Sequence, residues 1–152
     1  MKTLLKSLLF GFCVLSMNVA AVAADKGTPE DAVALAKKAI AFIGASGKDK
    51  AFAAFNDQNG AFVKGDLYVM VYDFEGNNKA HGQNAKLVGR NLIDIKSADD
   101  VFIVKRFIEL AKGNGKGWVD YKWLNKVTDK VENKSTYVEK AGDVLVGVGV
   151  YK

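Results

Sequence analysis

The apolar pattern of this chain changes period once, at Asp66, and that change constrains the fold more than any other feature. Before it, apolar residues recur at Ala32, Leu35, Ala36, Ala39, Ile40 and Ile43, the one-sided stripe of an amphipathic helix. Thr28-Pro29-Glu30-Asp31 opens that helix with a hydroxyl N-cap, a proline at the first helical position and acids in the first turn. Gly44 and Gly47 end it, and Lys48 to Asn56 reads as a second short helix turning Phe52 and Phe55 to the same core. After Asp66 the chain is β-branched and aromatic. Leu67 to Tyr72 and Lys79 to His81 form a hairpin about Glu75-Gly76-Asn77-Asn78, and Trp118 to Leu124, Val131 to Lys140 and Val144 to Tyr151 form a three-stranded meander. Between them, Ser97-Ala98-Asp99-Asp100 caps a helix carrying Val101, Val104, Ile108 and Ala111, which Gly113-Asn114-Gly115-Lys116-Gly117 breaks.

Helices followed by neighbouring antiparallel strands define an α+β domain built on one antiparallel β-sheet. The long N-terminal helix is expected to cover one face. The Asn91 to Asn114 segment then covers the other, with a pocket between it and the sheet.

The first two dozen residues read as an export signal. Lys2 and Lys6 precede an apolar run from Leu8 to Leu15, and Ala21-Val22-Ala23 supplies the small residues for cleavage. The expected division is residues 1–23 as signal peptide and 24–152 as one domain, which places the product in the periplasm. A retained N-terminal membrane anchor is the alternative, since Ser7 to Ala24 is uncharged. Removing Lys2 and Lys6 lowers the formal net charge from +5 to about +3, too small a footprint for a nucleic-acid binder. The single cysteine, Cys13, lies in the signal, so disulfides, thiolate catalysis, zinc ribbons and Cys-x-x-Cys-His haem attachment fall together.

His81 is the only histidine. Alone it is a base, a ligand contact or a structural group, and it makes no ordinary metal site. No Ser/His/Asp order or paired-carboxylate motif accompanies it, so the expectation is no enzyme activity and no cofactor. The glycines from Gly113 to Gly117 follow a helix and enter a strand, opposite to a phosphate-binding loop. Period-2 alternation places Tyr68, Met70 and Tyr72 on one sheet face, and Tyr121 and Trp123 on a common face. Such residues line a small-ligand pocket or fill an aromatic core; both readings stand at this point. Lys134, before Ser135 and Tyr137, is either an anion's partner or a solvated strand lysine.

An ordered set of segments then resembles a known family. Tyr68 with Asp73 and Gly76, Ala80-His81, Leu87-Val88-Gly89 with Asn91-Leu92, Gly117-Trp118-Val119 with Tyr121 and Trp123, Lys134-Ser135 with Tyr137-Val138, and Val146 to Tyr151 follow one another as in the single Cache domain of the second type. These are the extracytoplasmic PAS-like sensor modules of bacterial chemoreceptors and histidine kinases. The resemblance implies a PAS-like sheet enclosing a small-molecule pocket, with Tyr68, His81, Tyr121, Trp123, Lys134 and Tyr137 as ligand-binding residues and a short-chain carboxylate as ligand. Gly82 and Ala141-Gly142-Asp143 depart from the receptor pattern, which commonly has proline and tryptophan there. The chain ends one residue after Tyr151, so the resemblance is to free-standing exported versions, monomeric or weakly dimeric, acting through a ligand, a membrane receptor or a sensor kinase. The alternative role is an interaction module that binds an envelope partner without a ligand.

Overall fold

The structure is a computed structural model describing residues 26–152; the expected signal segment and its cleavage lie outside the described residues. The expected α+β architecture is observed. Helix α1 (Pro29–Ser46) and helix α2 (Lys48–Asn56) precede strands β1 (Val63–Lys64), β2 (Leu67–Asp73) and β3 (Asn78–His81). A 3-10 turn (Ala85–Leu87), helix α3 (Ile103–Gly113) and strands β4 (Lys116–Asn125), β5 (Lys130–Ala141) and β6 (Val144–Tyr151) complete the order. The sheet runs β1-β2-β6-β5-β4, entirely antiparallel, with β3 paired to β2. The last strand is thus the central one, and all eight of its residues are buried.

Helix α1 starts where the sequence places it. Thr28 Oγ1 accepts from the Asp31 amide at 3.1 Å, and the Asp31 carboxylate accepts from the Thr28 amide at 3.2 Å, a reciprocal cap. Of the two glycines expected to end it, Gly44 stays helical, and Gly47, with φ +77°, makes the break. Ala32, Ala36 and Ala39 let α1 lie close on the sheet. Phe42, Phe52, Phe55 and Phe62 form an aromatic cluster beside them, the tightest pair being Phe55 and Phe62 at 4.5 Å between ring centres.

The third helix departs from expectation. Ser97 does not cap it; its hydroxyl accepts from the Val101 amide and donates to Asp99, closing a separate turn, and α3 begins only at Ile103. A Ser/Asp-rich turn satisfies its own backbone groups as well as a helix start does, which is why the two look alike in sequence. The displaced turn has a use: Asp99 accepts from the Lys122 amide and the Ala98 amide donates to the Lys122 carbonyl, covering part of the open edge of β4.

Two cores result, one on each sheet face. Leu67, Val69, Val71, Val144, Val146, Val148 and Val150 face α1 and α2, while Tyr68, Met70, Tyr72, Tyr121, Val138 and Leu145 face α3 and the segment around Leu92. Among the described residues no helix is long and apolar enough to cross a membrane.

Candidate functional site

The α3 side of the sheet holds the candidate site. Strand β2 presents Tyr68, Met70 and Tyr72, its hairpin partner β3 presents His81, and β4 presents Tyr121 and Trp123, because all three strands alternate sides. Leu87, Leu92, Ile95, Ile103, Val104 and Phe107 close over them, enclosing a cavity of about 30 Å³. That is room for a water-sized group. The walls are aromatic: Tyr68 lies 4.9 Å from the His81 ring centre, and Phe107 and Trp123 stand 6.0 and 6.3 Å from Tyr121.

His81 is 6% exposed and fixed in one tautomer. Its Nδ1 accepts from the Asn84 amide at 3.0 Å and the Gln83 amide at 3.3 Å, so the ring proton sits on Nε2. Burial, followed by the charges of Lys134 and Lys126, lowers its pKa to about 4. The imidazole is therefore neutral at pH 7 and offers one N–H donor. Its own backbone amide donates to Asn56 Oδ1 at 2.8 Å, anchoring β3 to the end of α2.

Lys134 is 1% exposed. Its Nζ donates to the Tyr68 hydroxyl at 2.8 Å and the Tyr151 hydroxyl at 3.3 Å, lying 4.5 and 4.4 Å from the two ring centres. Tyr151 in turn donates to the Leu124 carbonyl at 3.0 Å. Burial pulls the lysine down to about pKa 7, opposed only by the distant charge of Asp66. Burial likewise raises both phenols well above their usual range. The ammonium stands one hydrogen bond behind the cavity wall, with Tyr68 between.

Five of the six residues singled out in the sequence thus come together on one face: Tyr68, His81, Tyr121, Trp123 and Lys134. Tyr137 does not. It belongs to the α1 side, stacks on Trp118 at 5.5 Å and donates to Glu139 at 2.6 Å. The cause is the strand period: it stands three positions after Lys134, an odd step that crosses the sheet.

Three contributors escaped sequence reasoning. Tyr151 shares the face of Lys134 by alternation along β6. Thr136 meets the Tyr121 hydroxyl at 2.8 Å. Gly149 is the least obvious, since a Cβ there would stand 2.3 Å from Lys134 Cε and 2.7 Å from Thr136 Oγ1. The signal was present in Val146-Gly147-Val148-Gly149-Val150, where valines take one face and glycines leave a slot on the other.

The antiparallel sheet, with helices on both faces and a small polar-edged cavity on one of them, defines the fold class as PAS-like. The family model for Single Cache domain 2 matches residues 8–152, and the chain belongs to that family. It is similar to the sensor histidine kinase MctS of Rhizobium johnstonii, 33% identical over 88 residues, which are 57% of this chain and 19% of the kinase. In fold it resembles a methyl-accepting chemotaxis protein from Vibrio parahaemolyticus, with a TM-score of 0.69 and 23% identity over 80% of this chain and 86% of that one. It also resembles a Cache chemosensory domain whose structure was solved as the basis for carboxylic acid recognition, with a TM-score of 0.63 and 21% identity over 80% and 86% of the two chains.

Proposed function

We propose that the chain is an extracytoplasmic, non-catalytic sensor-type domain that binds a small organic acid on the α3 side of its sheet. The single observation that carries this reading is Lys134, a fully buried amine whose hydrogen-bond partners are two phenols and whose neighbourhood is an aromatic cavity. Burying a carboxylate costs several kcal/mol without a cation and donors to meet it. Lys134 provides the charge, His81 Nε2 and the Tyr68 hydroxyl provide donors, and Phe107, Tyr121 and Trp123 provide apolar walls for a short alkyl chain. The relative whose structure concerns carboxylic acid recognition supports the same ligand class. Tyr137, on the other face, has no part in it.

The small cavity volume sets a condition. An acid of two to four carbons needs the cover to yield, and the wall formed by Leu87, Leu92 and Ile95 comes from a 3-10 turn and the irregular chain after it, which shift more readily than sheet. A nearly filled interior also favours the second reading, an interaction module with an ordinary aromatic core. Trp118, 40% exposed on edge strand β4, is the surface feature on its side.

A thermal-shift screen of organic acids, amino acids, amines and purines separates the two. A ligand at about 100 times its Kd stabilises the fold by roughly 2.7 kcal/mol. Stabilisation by monocarboxylates, lost in Lys134→Met, supports the sensor reading; no response to any acid leaves the interaction module.

A further inference from the structure

Two buried titratable side chains, Lys134 and Asp66, lack hydrogen-bonded partners of opposite sign among the described residues. Lys134 bonds only to phenols, and Asp66, at the start of β2, uses Oδ1 to accept from the Gly27 amide at 2.8 Å while its buried Oδ2 has no partner among the described residues. Asp66 influences the lysine through space without reaching hydrogen-bond distance. The other titratable groups around Nζ are Tyr68 from β2, Tyr151 from β6, Tyr121 from β4 and His81 from β3, with Glu132 of β5 acting on Tyr151 while its carboxylate accepts from Asn125 and Thr128. The three phenols hold their protons more firmly than usual and the imidazole is neutral, so none of these four is an anion near pH 7. Helix α3 adds only apolar side chains, Val104, Phe107, Ile108 and Ala111. Lysine's stem packs in the Gly149 slot, which keeps the amine out of contact with solvent.

A buried amine in these surroundings has two inexpensive states: neutral and alone, or charged and facing an anion. We propose that the site takes up its acid together with a proton, the carboxylate entering only when Lys134 is protonated, so that each anion bound fixes one proton at Nζ. The inference rests on the reading of Lys134 as the carboxylate's partner. In net terms one monoanion and one proton enter, and the cavity gains no charge. Monocarboxylates therefore suit it better than dicarboxylates, which would bring an unmatched second charge into the same walls.

The free amine loses its proton near pH 7, which puts the effect in reach of experiment. Calorimetric titration of the protein with sodium propionate across pH 6 to 9, repeated in HEPES and in Tris, reads affinity and proton count together. The expected Kd weakens about tenfold from pH 6 to pH 8 and about a hundredfold by pH 9, with close to one proton absorbed per propionate at the alkaline end. Lys134→Arg, whose guanidinium keeps its charge, should bind without the pH slope; should it fail to fold, the wild-type proton count decides alone. Propionate binding with constant Kd and no proton uptake overturns the linkage while leaving the carboxylate reading in place. Failure of propionate and acetate to bind at any pH overturns both.

Discussion

The two faces of one sheet follow opposite rules here. On the α1 side, β6 presents Val144, Val146, Val148 and Val150 to alanines and phenylalanines, and the surface is apolar and filled. On the α3 side the same strand presents Leu145, Gly147, Gly149 and Tyr151, and the neighbouring strand adds Lys134 and Thr136 where hydrophobic residues would have filled the space. The first face gains stability from burial at roughly 25 cal/mol per Å² of apolar surface. The second forgoes part of that gain to keep a buried amine and a cavity. What the difference teaches is that the filled and the cavity-bearing surfaces are separated by a single peptide plane, so substitutions one residue apart should have unlike consequences.

The largest effect is expected from Phe55→Ala, which removes the centre of the phenylalanine cluster. It should destabilise by about 3–5 kcal/mol and leave the acid response of the surviving folded protein intact, as denaturant melts with and without propionate will show. If binding is lost along with stability, the faces are not independent. Gly149→Ala comes next. The new methyl meets Lys134 Cε and Thr136 Oγ1, and the expected cost is about 1–3 kcal/mol together with loss of acid stabilisation; an acid response of wild-type size would show that the slot is not part of the site.

The third comparison uses pH. Lys134 titrates near 7 in the fold against an ordinary value of 10.5, so between those values the unfolded chain holds more protons and unliganded stability rises with pH. His81, lowered from 6.5 to about 4, gives the same sign at the acid end, with stability lost as pH falls from 6.5 toward 4. Melting temperatures from pH 4 to 9 should show both rises, and Lys134→Met should flatten the upper one alone. A wild-type profile that falls between pH 7 and 9 would contradict the assignment. The smallest effect belongs to Tyr137→Phe, which gives up the hydrogen bond to Glu139 on the α1 side. About 1 kcal/mol or less is expected, with propionate affinity unchanged in a calorimetric titration.

Much of this was legible in advance, and the failures have physical causes. Alternation placed Tyr68, Met70 and Tyr72 on one face of β2 and Tyr121 with Trp123 on one face of β4, and the cap at Thr28 located α1. Alternation also held the answer for Tyr137, but the family resemblance counted it with Lys134 among the ligand-binding residues, and an odd number of positions along a strand means opposite sides. The start of α3 was hidden because Ser97 and Asp99 close a turn with the same chemistry that caps helices. The buried state of Lys134, bonded to phenols and to no carboxylate, was hidden because it depends on Gly149 and Tyr151, which reach it only after β5 and β6 pair.

The position of β6 also sets an order of events. Since the strand between β2 and β5 is the last one in the chain, the sheet cannot close while residues 144–151 are still being made. The hairpin of β4 and β5 can form early, but β2 waits for its central neighbour until residues 144–151 are in place, and until then the apolar faces of both sheet parts stand open.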